Sequence, residues 1–203
     1  MTATPDLPAA GTPYVQAART LLRDTVLDAV DRLVRERGWS ATTMAHVATA
    51  AGVSRQTLYN EFGGRAALVE TYVAREIGVL VDQVAATVRE HADDAHAALR
   101  SAFAMFLQLA SDEPVIRLLA GDGDSGEPYR LVTTLGRTLA GDTVARLVPE
   151  VWPQVGEQDA RLLSDSLVRL AISHALVPER DPQRVADDVG RMFARFVDEL
   201  LGT

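Results

Sequence analysis

The chain has 203 residues, 47% of them hydrophobic and 24% charged, with no cysteine and a formal net charge of −8 at pH 7. This length and composition suit a folded protein of one or two domains, and the lack of cysteine excludes disulfides, a thiol nucleophile and cysteine-ligated metals. No apolar run approaches the ~20 residues of a membrane helix, and residues 1–13 do not resemble a signal peptide, so we expect a cytoplasmic protein without membrane contact.

Apolar residues recur with helical spacing along nearly the whole chain, and no stretch alternates as a β-strand would. After a flexible tail over residues 1–13, the pattern predicts a long first helix that ends at Gly38. A short helix follows from about Thr43 to Ala51, and Ser54 is placed to cap a second short helix that runs through Glu61.

The rest of the chain is also predicted to be helical. A long helix begins after Gly64, and Asp93 or Asp94 is placed to cap the helix after it. A flexible, Gly-rich acidic loop is predicted at 121–128. The predicted fold is therefore all-α with about nine helices. The helices after the second short one are predicted at about 65–91, 95–110, a short segment ending at Leu119, 129–147, 158–176 and 182–201.

The two short helices have the spacing of a helix-turn-helix. Gly52 permits a turn with positive φ, Val53 can pack between the helices, and the helix that Ser54 begins can point its N-terminus at a DNA groove. The spacing alone fits a helical hairpin of no special function equally well. Residues 14–65 carry a net charge of +2 and the residues beyond them −9, which favours local phosphate binding by the first part of the chain.

The sequence of residues 43–68, TMAHVATAAGVSRQTLYNEFGGRAAL, resembles the DNA-binding motif of the TetR family of bacterial transcriptional regulators. The similarity covers roughly residues 14–75. It implies an all-α homodimer whose helix-turn-helix domain, residues 14–65 with the motif at about 43–62, binds a palindromic operator in double-stranded DNA. It also implies that residues 66–203 dimerise and hold a small-molecule effector. In this family such an effector most often releases a repressor from its operator.

The resemblance also implies which side chains contact DNA. Arg55 can pair bidentately with guanine and Gln56 with adenine, while hydroxyl groups more often hold phosphate. Arg65 stands where the family usually has Lys, and its charge at a helix N-terminus suits phosphate. Glu61 departs from the usual His or Tyr, and it is unfavourable beside DNA unless it turns away or accepts from cytosine. The predicted DNA contacts are Thr43, Ser54, Arg55, Gln56, Thr57, Tyr59, Asn60 and Arg65.

The second half of the chain offers candidates for an effector cavity. The scarcity of charge on its helix faces favours an apolar or amphipathic ligand. For each candidate taken singly, an ordinary core position is the more common explanation, because pockets are few and are built mostly from core-like residues. The apolar stripe from Val185 to Leu200 can pack against a second copy of the chain or inside one chain. The candidates for lining the cavity are Phe103, Phe106, Leu119, Tyr129, Trp152, His174 and Met192.

Other functions have less support. The run HADDAH at 91–96 invites a metal site, but His91 and His96 are five residues apart at a helix boundary and do not share a face. The chain has no Gly-rich phosphate loop, nucleophile elbow or zinc-protease motif. We therefore predict no catalytic residue, no metal and no cofactor. The alternative to a DNA-binding regulator is a helical protein–protein interaction module that does not bind DNA.

Overall fold

A computed structural model of the protein describes residues 13–112, 127–177 and 181–202. Within these ranges the only regular secondary structure is helical, so the all-α prediction is confirmed. Residues 1–12 of the predicted tail over 1–13 lie outside the described residues, as does the short helix ending at Leu119, and Pro13 is the first residue of α1. The described helices are α1 (Pro13–Arg37), α2 (Met44–Ala51), α3 (Arg55–Phe62), α4 (Arg65–Glu90), α5 (Ala95–Asp112), α6 (Glu127–Val151), α7 (Glu157–Leu176) and α8 (Pro182–Leu201).

Local side-chain chemistry sets the ends of the two short helices. The Thr43 side chain accepts a hydrogen bond from the backbone N–H of His46, and the Ser54 side chain accepts one from that of Thr57. Gly52 ends α2 with φ 70°, a left-handed conformation that glycine adopts without strain. The turn at Gly52 and the cap at Ser54 are therefore where the sequence predicts them, and Thr43, which was predicted to begin α2, caps it instead.

Aspartates cap two of the later helices. Of the two candidates before α5, Asp94 is the cap, because its carboxylate accepts from the Ala97 N–H at 2.9 Å. This backbone hydrogen bond lowers the pKa of Asp94. Asp181 caps α8 by accepting from the N–H groups of Gln183 and Arg184, with Pro182 in the first turn.

The first core joins α1, α2, α3 and the part of α4 that runs from its start to Val81. Leu58 of α3 and Leu68 and Tyr72 of α4 are at most 1% exposed, so α4 supplies the core that the short helices lack. The Tyr72 hydroxyl donates to Asp31 of α1 at 2.9 Å. Burial, and then the Asp31 carboxylate, raises the pKa of Tyr72, which keeps the donor proton in place. Arg75 adds an ion pair to Asp28 of α1 at 2.7 Å.

The second half of the chain forms a helical layer around α4, in which α5 packs on α4 and α8, and α6 packs on α4 and α7. The stripe of α8 is used inside the chain, because Val185 and Val189 join one core cluster with Phe103 and Leu107. Phe196 packs against a further cluster around Leu163. No helix in the described ranges is both long enough and apolar enough to span a membrane.

Candidate DNA interface and effector cavity

The helix-turn-helix presents one polar face to solvent. In α3 only Leu58 and Phe62 are buried, and they anchor the helix to the first core. The predicted DNA contacts in α2 and α3 lie away from that core, and all of them are exposed. Tyr59 is 47% exposed, whereas Phe62, three residues further along α3, is buried. The exposed set is Thr43, Ser54, Arg55, Gln56, Thr57, Tyr59 and Asn60.

Hydrogen bonds within α3 order part of this face before any DNA binds. Gln56 Nε2 donates to Asn60 Oδ1 at 2.8 Å, and the hydroxyls of Ser54 and Thr57 are 2.8 Å apart. The Arg55 guanidinium forms no hydrogen bond or ion pair within the part of the chain that the structure describes. Arg55 therefore keeps all its donors for another molecule, whereas Gln56 and Asn60 act as a linked pair.

Glu61 turns away from the exposed face of α3 and towards α1. Its carboxylate accepts from Arg19 Nε at 2.9 and 3.0 Å and from Arg23 Nη1 at 2.7 Å. The guanidinium of Arg23 also lies 4.9 Å over the ring of Phe62. Partial burial raises the pKa of Glu61, but the hydrogen bonds from both arginines outweigh it and hold this pKa below its usual range. The acid that departs from the family pattern is therefore neutralised by the protein itself.

Arg65 lies at the start of α4, as predicted, but its donors serve the loop between α1 and α2. Its Nη2 donates to the Trp39 carbonyl at 2.8 Å and its Nε to the Thr42 carbonyl at 3.3 Å. The guanidinium stacks on the Trp39 ring at 4.4 Å. Arg65 thus fixes the loop that leads into α2, and its contact with phosphate stays a prediction.

An apolar cavity of about 170 Å³ lies between α4, α5, α6, α7 and α8. All the residues that line it are apolar. Three of the candidates from the sequence, Phe103, Phe106 and Trp152, are among them. The Trp152 indole N–H donates to the Ala92 carbonyl at 2.9 Å, so the polar atom of this side chain is satisfied by the backbone.

Other candidates for the cavity fall elsewhere. Met192 was predicted to line the cavity, and this is wrong: it is 61% exposed, because it lies at the edge of the α8 stripe and faces outward. His174 does not line the cavity either. It is half-buried, with its ring edge-on to Phe103 at 6.4 Å between centroids. Leu119 and the side chain of Tyr129 lie outside the described residues.

Sequence reasoning missed two kinds of residue. Arg19 and Arg23 are one helical turn apart on α1, a spacing that allows both to bind one carboxylate. The sequence around them does not show that this carboxylate belongs to Glu61. The cavity is partly made by small residues, among them Ala98 and Gly136, which leave room where larger side chains would fill it. In the sequence, small residues on an apolar helix stripe are the pattern that could have indicated this cavity.

The run at 91–96 forms no metal cluster. His91 Nδ1 is 3.0 Å from the Thr87 carbonyl, and His96 Nε2 is 2.7 Å from Asp198 Oδ1, so the two imidazoles face different partners. Within the described ranges no group of His, Asp and Glu side chains is arranged to hold a metal ion.

An all-α chain with a capped, solvent-exposed helix-turn-helix defines the class of helix-turn-helix DNA-binding proteins. Comparison with known families narrows the class. The family described as "Bacterial regulatory proteins, tetR family" matches residues 26–72, and "Bacterial Tetracyclin repressor, C-terminal domain" matches residues 94–195. The chain belongs to the TetR family of transcriptional regulators. Regulators of this family bind DNA operators and small-molecule effectors and form dimers, so the alternative of a module without DNA binding is not favoured.

Individual relatives agree with this assignment. The HTH-type transcriptional regulator AlkX of Mycobacterium tuberculosis (strain ATCC 25618 / H37Rv) is 38% identical over 190 residues, which are 92% of this chain and 90% of that protein. The crystal structure of the TetR family repressor AlkX from a Dietzia species, implicated in biodegradation of n-alkanes, gives a TM-score of 0.75 at 31% identity and covers 87% of this chain and 97% of that one. A TetR-family regulator from Pectobacterium atrosepticum shares the fold, with a TM-score of 0.66 at 20% identity over 93% of this chain and 98% of that one.

Proposed function

We propose that this chain is a homodimeric, cytoplasmic repressor that leaves a palindromic operator when a ligand with a hydrocarbon chain fills its cavity. The single observation that carries the ligand class is the cavity of about 170 Å³, whose lining residues are all apolar. An apolar cavity of ~150 Å³ in another protein stays dry and binds benzene. A cavity of this kind favours a ligand that brings no unpaired polar group into it.

The relatives support a hydrocarbon in particular. The Dietzia AlkX repressor is implicated in biodegradation of n-alkanes, and it is 31% identical to this chain. Burying each CH₂ group contributes about 0.8 kcal/mol, so the affinity of an unbranched chain rises with its length until the cavity is full. The carboxylate of a fatty acid would lose its hydration inside this lining, so such a head group would remain outside it.

The proposed operator contacts divide by chemistry. Arg55 and the linked pair Gln56 and Asn60 lie on the exposed face of α3, where a recognition helix meets base edges in the major groove. The hydroxyl-bearing residues at the start of α2 and along α3 suit phosphate oxygens, which fix the register of the helix on the duplex. Arg65, at the start of α4, would add a phosphate contact beside the loop that it holds.

The proposed dimer uses the outer faces of α7 and α8. The inner stripe of α8 is already occupied within the chain, but Leu162 of α7 is 57% exposed and Met192 of α8 is 61% exposed. In such a dimer the two α3 helices would lie about 34 Å apart, the length of one turn of DNA. Sedimentation of the wild type and of Leu162→Glu tests this, because a charge in the middle of the interface should give a monomer.

The proposed division of labour places DNA binding in residues 14–65 and effector binding with dimerisation in 66–203. Two residues of α4 connect the two parts. Ile77 and Val81 belong to the first core, which holds the helix-turn-helix, and they also line the cavity. A ligand that displaces them therefore strains the support of α3. Coupling of this kind is typically worth about 1–3 kcal/mol.

The experiment starts from an operator that the full-length protein selects from a random-sequence duplex library. Fluorescence anisotropy of the labelled operator is then followed while n-alkanes and fatty acids of increasing chain length are added. We expect release that becomes stronger with chain length and then reaches a limit. Selection of an operator without release by any of these compounds would overturn the hydrocarbon effector, and selection of no sequence would overturn operator binding itself.

A further inference from the structure

We propose that Arg19 contacts a DNA backbone phosphate outside the helix-turn-helix, and that Glu61 positions it to do so. This inference rests on the operator binding proposed above, and it adds a contact from α1 that the family motif does not include. It makes Glu61 a positioning residue, which acts on DNA only through the arginine that it holds.

The hydrogen bonds of Arg19 leave the outer part of its guanidinium unused. Only its Nε donates to Glu61, at 2.9 and 3.0 Å to the two carboxylate oxygens. Its two terminal amino groups form no hydrogen bond to any residue that the structure describes. The Arg19 side chain is 64% exposed, whereas that of Glu61 is only 12% exposed. Glu61 therefore fixes the inner part of the Arg19 guanidinium, and the terminal amino groups face solvent with their donors free.

Arg23 completes the support and leaves a surplus of positive charge. It donates to Glu61 Oε1 at 2.7 Å and stacks on the ring of Phe62, the last residue of α3. One carboxylate thus faces two guanidinium groups, so the cluster of Arg19, Arg23 and Glu61 carries a net charge of +1. Glu61 alone would bring a negative charge close to DNA, whereas the cluster as a whole brings a positive one.

The position of the cluster determines what its free donors meet. Glu61 directly follows Asn60, which lies on the exposed face of α3. When a recognition helix lies in the major groove, groups that flank it reach the sugar–phosphate edge of the groove and not the bases. A guanidinium fork matches the geometry of a phosphate, and one that is already oriented loses less conformational entropy on binding.

The competing explanation is that this cluster only fastens α1 to α3. Both explanations predict a small effect of Arg19→Ala on folding, since the Arg19 side chain is 64% exposed. They differ in DNA binding. A phosphate contact contributes to affinity for every sequence and to its dependence on salt, because each neutralised phosphate releases counterions. An ion pair that only links α1 to α3 and does not contact DNA has no direct effect on the salt dependence of DNA binding.

The first test compares Arg19→Ala with wild type on the selected operator and on an unrelated duplex, over a range of salt concentrations. We expect affinity for both duplexes to fall roughly tenfold, and the slope of log K against log [salt] to fall by about 2 for the two Arg19 residues of a dimer. Arg89→Ala is the matched control. It breaks another Arg–Glu pair, with Glu150, about 36 Å along α4 from Arg65, and it should change neither quantity.

The second test uses Glu61→Gln, alone and combined with Arg19→Ala. By charge alone, removal of an acid near DNA strengthens binding. If Glu61 positions Arg19, Glu61→Gln instead weakens binding, and Arg19→Ala costs less in the Glu61→Gln protein than in wild type. An unchanged salt slope in Arg19→Ala overturns the phosphate contact, and equal costs in both backgrounds overturn the role of Glu61. Both of these outcomes can be measured only if the wild-type protein selects an operator. They can therefore be distinguished from a failure of the proposed operator binding, in which the wild type selects none.

Discussion

Gly190 of α8 lies so close to Arg100 of α5 that a Cβ at residue 190 would come within 2.6 Å of Arg100 Cγ and 3.1 Å of its Cδ. Cγ is near the backbone and cannot move away as a side-chain tip can. The close packing of α5 against α8 therefore requires a residue without a side chain at position 190.

Gly190→Ala should lower the free energy of unfolding by about 1–3 kcal/mol, because the added methyl forces the two helices apart. A thermal melt would show this as a loss of roughly 2–4 °C per kcal/mol for a chain of this size. Arg100→Ala in the same protein should restore most of the loss. The control is Gly78→Ala in α4, where a Cβ meets nothing within 4 Å and the helix gains stability. A Gly190→Ala protein as stable as wild type would contradict the close contact.

The hydrogen bond from the Tyr72 hydroxyl to Asp31 predicts that removing this hydroxyl lowers the free energy of unfolding. Tyr72→Phe keeps the buried ring but leaves the Asp31 carboxylate without this donor. We expect a loss of about 1–3 kcal/mol, the usual cost of removing a hydrogen bond to a charged group. Urea unfolding should show a lower midpoint with an unchanged m-value. Tyr59→Phe, on the exposed face of α3, should leave the midpoint where it is, and equal midpoints for all three proteins would count against the buried bond.

The parts of this structure that the sequence predicts are those with local causes. The turn at Gly52 and the cap at Ser54 depend on residues at most three positions apart, so they are visible in the sequence. The buried face of α4 follows from its helical period in the same way.

The parts that were missed depend on contacts between distant segments. Arg19 and Glu61 are 42 positions apart, and Arg65 and Trp39 are 26 apart, so no local pattern pairs them. Met192 lies at the edge of an apolar stripe, where only the angle between α8 and its neighbours decides whether a side chain faces in or out. The cavity is likewise a property of how five helices pack, and apolar periodicity does not distinguish a void from a filled core.

The pairing of Glu61 with two arginines predicts how acid affects stability. Because the folded state holds the pKa of Glu61 below its ordinary value of 4.5, the pairing contributes its full stabilisation above that value and loses it as the pH falls through the lowered pKa. Thermal melts from neutral to acidic pH should therefore show wild type more stable than Glu61→Gln near neutrality, with the difference shrinking in acid. In a protein that lacks both arginines, this advantage of Glu61 over Gln should be lost and reversed near neutrality, because the carboxylate is then partly buried without a partner. A stability difference between wild type and Glu61→Gln that grows as the pH falls would contradict the pairing.

The glycine that lines the cavity offers a way to fill it. A Cβ on Gly136 would lie 3.4 Å from Ile172 Cδ1 and 3.9 Å from Ile77 Cδ1, so a larger side chain there extends into the cavity. Gly136→Leu should respond weakly or not at all to hydrocarbon ligands, and, because the added side chain presses on Ile77 as a ligand would, it should bind the operator more weakly than wild type before any ligand is added. Gly141→Leu is the matched control on the same helix, because a Cβ there meets nothing within 4 Å and Gly141 does not line the cavity. An unchanged ligand response in Gly136→Leu would place the effector elsewhere.

The free guanidinium of Arg55 and the engaged one of Arg65 predict different effects on operator recognition. Arg55→Ala should cost about 1–3 kcal/mol on the best operator and relax the preference for guanine at one position of each half-site, because a bidentate contact to guanine distinguishes bases. Arg65→Ala should weaken all duplexes alike, and it should also lower the melting temperature, since its bonds to the Trp39 and Thr42 carbonyls are lost. Anisotropy on a set of operators with single base changes separates the two effects. Unchanged discrimination in Arg55→Ala would remove Arg55 from the base contacts, and a selective loss in Arg65→Ala would show that Arg65 contributes to sequence preference.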